Sequence, residues 1–409
     1  MKGCFFLKAA IMGYGVVGSG VAEVLITNAK HIESKIGQPI EISKILDLRD
    51  FDNDPLKDKF TKNFEDILND SEIGVVAEVM GGITPAFDYV MALLKAGKSV
   101  VTSNKELVAA KGAELLKTAK EKNVNFLFEA SVGGGIPVLR PLHQCLASNK
   151  IIEICGILNG TTNYILTKMI NENRSLEDVL KEAQDLGYAE RNPAADIEGH
   201  DACRKICILA SLAFSKHVYP DSVHTEGITS ITLNDVNLAQ KAGYVIKLIG
   251  KAKMHSDNTL YILVAPMLIE NSCPLACVSD VFNAVMVEGN AVGDVMFYGR
   301  GAGKLPTASA VVADMIDCVK HVNARKELFW QDSDNSFVSD IKEENVRMYV
   351  RICPEGLQKV MEIFPDAKTI QIENDFAFIT SEMKEKQIDE GLEKLKAYGF
   401  EAINKIRLK

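Results

Sequence analysis

The residues best suited to chemistry fall in five short segments. Asp201 and Lys205 lie in LGYAERNPAADIEGHDACRK (Leu186–Lys205), four positions apart on an expected helix. That spacing puts both side chains on one face. The apolar run Ile206–Ala213 follows, so this helix is expected to be at least partly buried. An ammonium in a cleft, partly desolvated and beside a carboxylate, can pass protons near neutral pH. A plain surface ion pair has the same spacing, and the adjacent His200 is assigned no role. GYGVVG (Gly13–Gly18) suggests a different task, holding a dinucleotide. Gly13 allows a tight turn, Gly15 lets the backbone approach a pyrophosphate, and Gly18 lets helix and strand pack closely. With Val16 and Val17 in its first turn, the helix that opens there offers N–H groups and a positive dipole end to phosphates.

Three further segments are unusual for scaffolding. Lys105 closes TSNK (Thr102–Lys105) and begins a helix, where its charge opposes the dipole. EASVGGGIP (Glu129–Pro137) contains three consecutive glycines, which cost backbone entropy unless bare backbone is needed there. GILNGTTNYIL (Gly156–Leu166) reads as a strand and turn opening a helix.

These segments need a frame. Strands are expected at Phe5–Met12, Glu41–Leu48, Gly74–Val79, Ser99–Thr102 and Asn125–Phe128, with helices at Val16–Ala29, Phe87–Ala96 and Lys105–Lys122 between them. This alternation implies a Rossmann-type parallel sheet covered on both faces, with ligands outside the carboxyl ends of the strands. Asp47, at the end of the second strand, is the expected partner of a ribose diol; Arg49 and Lys57 could instead hold a 2′-phosphate, or simply be solvated. Residues 136–304 read as an α+β substrate-binding and dimerisation domain. The helix over 305–322 is expected to pack back on the dinucleotide-binding domain, 1–135. Gln331–Ser339 reads as a polar linker. Residues 345–409 follow a βαββαβ order, a ferredoxin-like domain.

Composition narrows the classes. A chain of 409 residues implies two or three domains. The net charge of −9 and the lack of a basic stripe argue against a nucleic-acid partner. No run is long and apolar enough to span a membrane, and the opening MKGCFFLKAAIMGYG reads as a first buried strand rather than a signal peptide. Nine scattered cysteines without metal spacing read as reduced core thiols of a cytoplasmic protein.

Taken together and in order, GYGVVG, TSNK, EASVGGGIP, GILNGTTNYIL, LGYAE…DIEGHDACRK and GRGAGKLPTASAVVADMID resemble the homoserine dehydrogenase family over residues 5–320. The resemblance implies NADPH- or NADH-dependent reduction of L-aspartate 4-semialdehyde to L-homoserine, in threonine, methionine and isoleucine biosynthesis. It implies that Lys205 is the catalytic lysine, that Asp201 binds homoserine beside it, and that Lys105 is a second lysine at substrate and nicotinamide. It places Glu190 at the substrate's amino group and near the cofactor, with Ser103, Gly187 and Gly303 also along the cofactor. Glu129 with the carbonyls of Val132, Gly134 and Ile136 matches a monovalent cation site, usually sodium; a tight hinge would use the same glycines. The family implies a homodimer or homotetramer.

The βαββαβ tail resembles an ACT domain, through which threonine inhibits many members. Its RICPEGLQKV turn and FPDAKTI connection depart from that module's usual loops, and a purely structural tail is the other reading. Two other functions fit the same scaffold: hydride transfer on another semialdehyde or oxo acid, and a non-catalytic amino-acid sensor. An aspartate-semialdehyde dehydrogenase would need a nucleophilic cysteine with a histidine partner, and no persuasive pair stands out.

Overall fold

A computed structural model of the chain describes residues 8–321 and 328–409. They form two compact units. One holds the residues up to Asn149 with Cys207–Pro220 and Gly299–Asp334; the other holds Lys150–Ile206, Asp221–Tyr298 and Asn335–Lys409.

The first unit opens with β1 (Lys8–Met12), α1 (Val16–Thr27), α2 (Ala29–Ile36), β2 (Glu41–Leu46), β3 (Phe60–Thr61), α3 (Glu65–Leu68), β4 (Ile73–Glu78), α4 (Ala86–Lys95), β5 (Ser99–Thr102), α5 (Lys105–Lys122) and β6 (Phe126–Leu127). Its sheet runs β3-β2-β1-β4-β5-β6 and is parallel throughout. Ala9 to Met12 and Val75 to Ala77 are fully buried, as strands covered on both faces must be. The strand order reverses between β1 and β4, the kind of crevice where such sheets bind ligands.

The outer strand β3 was not expected from the sequence: two residues carry no readable period. The helix expected over Val16–Ala29 stops at Thr27, and α2 follows after Asn28. The expected Phe5–Met12 strand is seen from Lys8, and its earlier residues lie outside the described ones.

The second unit contributes β7 (Ile151–Ile157), α6 (Gly160–Glu172), α7 (Leu176–Asp185), α8 (Ala194–Ile197), α9 (His200–Phe214), β8 (His224–Thr225), α10 (Leu233–Lys241), β9 (Tyr244–Met254), β10 (Leu260–Glu270), β11 (Phe282–Gly289) and β12 (Gly293–Arg300). Helix α9 counts with the first unit from Cys207 onward. The next helix, α11 (Lys304–Lys320), belongs to the first unit, where Ala308, Val311, Val312 and Met315 share a core with Val21, Ala22 and Leu25 of α1. Residue 322 of the expected helix lies outside the described residues. The tail follows as β13 (Asn345–Val346), β14 (Met348–Ile352), α12 (Leu357–Ile363), β15 (Lys368–Ile372), β16 (Asp375–Ile379), β17 (Met383–Lys384), α13 (Glu385–Ala397) and β18 (Asn404–Leu408).

The tail has the ferredoxin-like order, its antiparallel strands running β18-β14-β16-β15. It is not a detached module. β18 pairs in parallel with β10, through Met267↔Arg407 and Leu268↔Leu408, so the tail extends one ten-stranded sheet of the second unit. Strand β10 (LYILVAPMLIE) is buried from Leu260 to Ile269 and needs partners on both edges. The expected linker is pinned at both ends, within one unit at each. Gln331 N donates to Ser215 O, and Leu260 N donates to Phe337 O.

A buried polar seam joins the tail to α10. Asp235, fully buried, accepts from Arg351 Nε at 2.7 Å, Asn404 Nδ2 at 3.0 Å and Tyr349 Oη at 3.2 Å. Arg407 forks onto Glu385 at 2.8 and 2.6 Å and also reaches Glu226 at 2.8 Å. Removing one partner of such a pair strands a charge in low dielectric. Arg351→Met should therefore cost about 3 kcal/mol of unfolding free energy in denaturant melts; a loss within experimental error would show that the seam does not hold the tail.

Candidate active site

In the first unit the glycine turn is built to leave backbone bare. Gly13 has φ +93°, and a Cβ there would sit 3.0 Å from Met80 Cα. A Cβ on Gly18 would collide with the carbonyl oxygen of Gly13. Gly15, the N-cap of α1, faces open space. No side chain caps this helix start and no acidic residue sits in its first turn, where Val16 is exposed. The residues present therefore fit a pyrophosphate, with N–H groups and the dipole end unopposed.

Asp47 lies where the sequence places it, just past β2, and its Oδ2 accepts the Tyr14 N–H at 2.8 Å. Arg49 clasps it twice, at 3.0 Å through Nε and 2.8 Å through Nη2. That guanidinium holds the Asp47 carboxyl well below the usual carboxylate range. Lys57 opens a short 3-10 turn nearby in sequence.

Lys105 is the first residue of α5, and Ser103 O accepts its N–H at 3.0 Å. Asn104 caps the helix by accepting the Leu107 N–H at 3.1 Å, and its amide reaches Gly82 O at 2.6 Å. Beneath this loop lies Glu78, fully buried at the end of β4. It accepts Thr102 Oγ1 at 2.7 Å and the Met80 N–H at 2.8 Å. Burial pushes its carboxyl up against the pull of those donors. Glu78 thus ties the turn after β4 to the TSNK segment. Sequence reasoning missed it; a carboxylate inside the apolar run VVAEVMGG was the available signal.

The three glycines of EASVGGGIP have a steric reason. Gly133 and Gly134 take φ +73° and +55°, and a Cβ on Gly134 would strike the carbonyl of Gly301. A Cβ on Gly135 would lie 2.7 Å from Pro306 Cβ. The Glu129 carboxylate is already engaged: it accepts the N–H groups of Val138 and Leu139 at 2.6 and 2.8 Å and of Arg140 at 2.7 Å. A cation at this loop would find backbone carbonyls such as those of Val132, Gly134 and Ile136, whereas the Glu129 oxygens are committed to three donors. Beside it Asp314, buried and facing the Glu129 carboxylate, has its carboxyl pushed up to about 7 despite the Arg140 guanidinium at 2.7 Å.

The second unit holds the expected dyad. Lys205 and Asp201 are 8% and 6% exposed, which removes the solvated ion pair from consideration. Lys205 Nζ donates to Asp201 Oδ2 at 2.7 Å and to Leu158 O at 2.8 Å. Asn159, one residue past that carbonyl, donates its amide to Asp201 Oδ2 at 2.9 Å and to Asp196 Oδ1 at 2.7 Å. Neither Asp196 nor Asn159 stands out by residue type or spacing, although both lie inside the family motifs. Glu190 is exposed, and its carbonyl is held by Gln184 Nε2 at 3.1 Å. Gly187 takes φ +75° and stops α7, its N–H reaching Gln184 O at 3.0 Å. In the first unit, Gly303 precedes α11 with φ +130°.

Of the eight described cysteines, Cys155, Cys203, Cys207 and Cys318 are buried, whereas Cys145 and Cys277 are exposed. Not all are core thiols.

A parallel sheet presenting a bare helix start, in one chain with a buried lysine–carboxylate pair, defines an NAD(P)-dependent oxidoreductase. Comparison with known proteins narrows the class. The family model "Homoserine dehydrogenase, NAD binding domain" matches residues 13–129, and the model "Homoserine dehydrogenase" matches residues 137–316. A homoserine dehydrogenase of Bacillus subtilis is 42% identical over 345 residues, covering 83% of this chain and 78% of that one. The crystal structure of a homoserine dehydrogenase from Thiobacillus denitrificans superposes with a TM-score of 0.91 at 36% identity, covering 98% of each chain. A hyperthermophilic archaeal homoserine dehydrogenase mutant in complex with NADPH gives a TM-score of 0.64 at 27% identity, covering 76% of this chain and 97% of that one. The chain belongs to the homoserine dehydrogenase family.

Because the Gly18 position tolerates no Cβ, Gly18→Ala should weaken NADPH binding by tenfold or more. Fluorescence titration of the cofactor measures this, and unchanged affinity would remove the glycine turn from the binding site.

Proposed function

We infer that Lys205 is the proton-handling group for the reduction of L-aspartate 4-semialdehyde to L-homoserine. The observation that carries this is the buried ammonium 2.7 Å from Asp201. The nicotinamide of NADPH or NADH supplies the hydride that reduces the aldehyde carbon. As that carbon is reduced, the carbonyl oxygen becomes an alkoxide and needs a proton. Lys205 Nζ donates it; in the reverse direction the neutral amine accepts the hydroxyl proton. Asp201 and the Leu158 carbonyl orient the amine, and Asp201 also binds homoserine. Lys105 places a second positive charge for the carbonyl oxygen as it gains charge. Glu190 takes the substrate's amino group.

Gly13, Gly15, Val16, Val17 and Gly18 hold the pyrophosphate, with Ser103, Lys105, Gly187, Glu190 and Gly303 along the cofactor. Arg49, clasped on Asp47, offsets the carboxylate's repulsion of a 2′-phosphate, which supports acceptance of NADP as well as NAD. A sodium ion would be held by Glu129 with the backbone carbonyls of Val132, Gly134 and Ile136. The enzyme works in the cytoplasm as a homodimer or homotetramer. Exposed Val292, Met296 and Tyr298 on and beside the end strand β12 support such association.

The ferredoxin-like topology supports the tail as an ACT-type module with threonine as its ligand. On that reading, threonine at millimolar concentration lowers the initial rate; rates that ignore threonine would leave the tail a structural element. For the site itself, Lys205→Met should reduce turnover by about 10²- to 10⁴-fold, the usual contribution of general acid–base catalysis. NADPH binding should stay within twofold. Steady-state oxidation of NADPH with aspartate semialdehyde reads the first, and titration reads the second.

A further inference from the structure

In the segment GILNGTTNYIL only the Leu158 carbonyl has a task in the reaction as described so far, yet the neighbouring Asn159 side chain touches Asp201 and Asp196 together. Asn159 is 5% exposed and is the N-cap of α6. Its Oδ1 accepts the Thr162 N–H at 2.8 Å and Thr162 Oγ1 at 3.0 Å. A backbone N–H can only donate, so the amide oxygen must face Thr162 and the NH2 must face the opposite way. There it meets Asp196 Oδ1 at 2.7 Å and Asp201 Oδ2 at 2.9 Å. The amide has two protons, and each carboxylate receives one.

We propose that Asn159 is a positioning residue for the proton transfer, an amide clasp that holds Asp196 and Asp201 together as two carboxylates and so fixes the charge facing Lys205. The inference rests on the reading of Lys205 as the proton-handling group and adds what sets its state. Two carboxylates at one neutral donor group repel each other, and an amide proton on each offsets that repulsion. Donation to both favours both charged forms. Asp201 Oδ2 receives the Asn159 amide and the Lys205 ammonium at once. The amide therefore draws off part of the negative charge that would otherwise stabilise the ammonium. It also fixes the carboxylate's orientation, because Asn159 is anchored by the helix it caps. Strand β7 ends at Ile157, so the Leu158 carbonyl and the Asn159 amide come from one rigid strand-to-helix junction.

The cap and the clasp can be separated by substitution. Serine and aspartate are good N-caps, so either keeps the start of α6. A serine hydroxyl carries one proton on a shorter arm and cannot serve both carboxylates. An ionised aspartate donates nothing and adds a third negative charge.

The experiment compares Asn159→Ser, Asn159→Asp and Lys205→Met with the parent enzyme. It records melting temperature, NADPH affinity, and kcat and kcat/KM against pH for homoserine oxidation and semialdehyde reduction. Asn159→Ser should melt within a few degrees of the parent and bind NADPH within twofold. Its kcat should fall about tenfold, the fold-change of one lost charge-assisted hydrogen bond. With the clasp gone, more of the Asp201 charge faces Lys205 and the ammonium is favoured. Oxidation needs the neutral amine, so its rising limb should move to higher pH, and further in Asn159→Asp. Should the aspartate variant not fold, the serine variant decides alone. A folded serine variant with parental kcat and an unmoved limb, beside an inactive Lys205→Met, overturns the clasp and leaves Asn159 a helix cap. Parental turnover in Lys205→Met overturns the underlying reading instead.

Discussion

Much of the second unit follows from keeping one ammonium out of water. Transfer of a lysine charge into the interior is expensive unless a counter-charge and hydrogen-bond acceptors meet it. Lys205 meets Asp201 on its own helix and the Leu158 carbonyl from the strand before α6. The i, i+4 spacing brings the carboxylate without a long loop, and the carbonyl is available because β7 ends there and the chain turns into α6. Ile206, Cys207, Ile208 and Leu209, which follow Lys205, are buried and keep the helix seated. A pair of this kind stabilises little on balance. A desolvated amine can exchange a proton near neutral pH, which is the role proposed for Lys205.

The first unit solves the opposite problem. Where the second unit buries charge, the nucleotide turn leaves polar backbone unpaired so that a ligand can use it. Gly13, Gly15 and Gly18 clear the space, and Asp47 braces the turn through the Tyr14 N–H. Glu78 does the same for the neighbouring loop from below, joining the turn after β4 to the threonine of TSNK. Both carboxylates anchor loops at the carboxyl ends of the parallel strands. The glycines of the 133–135 run serve packing, where two backbones of the same unit pass within contact of each other.

The tail changes meaning once its sheet is seen. A ferredoxin-like module on a linker could be lost without consequence to the rest. Here β18 continues the sheet that begins at β12, and Asp235 and Arg407 sit in buried charge networks along the join. The same Arg407 reaches Glu226, next to the strand β8 that packs near Gly199, just before α9. The C-terminal segment is therefore part of the body that carries the lysine, whatever it binds.

The sequence by itself determined the parallel-sheet unit, its glycine turn, the βαββαβ order of the tail and the pairing of Asp201 with Lys205. Each is a local signal: a period, a turn residue, a four-residue spacing. It determined the family too, because six motifs in fixed order leave few alternatives. Only the tertiary structure decided the rest. Strand β9 (YVIKLIGKAKM) escaped reading because its lysines mask the apolar run; one of them, Lys247, is 2% exposed and held by Asn163 Oδ1 and Val278 O. The continuity of β10 with β18 joins residues about 140 positions apart. Glu78, Asn159, Asp196 and the committed oxygens of Glu129 became visible for the same reason. A hydrogen bond is made between groups distant in the chain, and no spacing within a motif records which donor will face which acceptor.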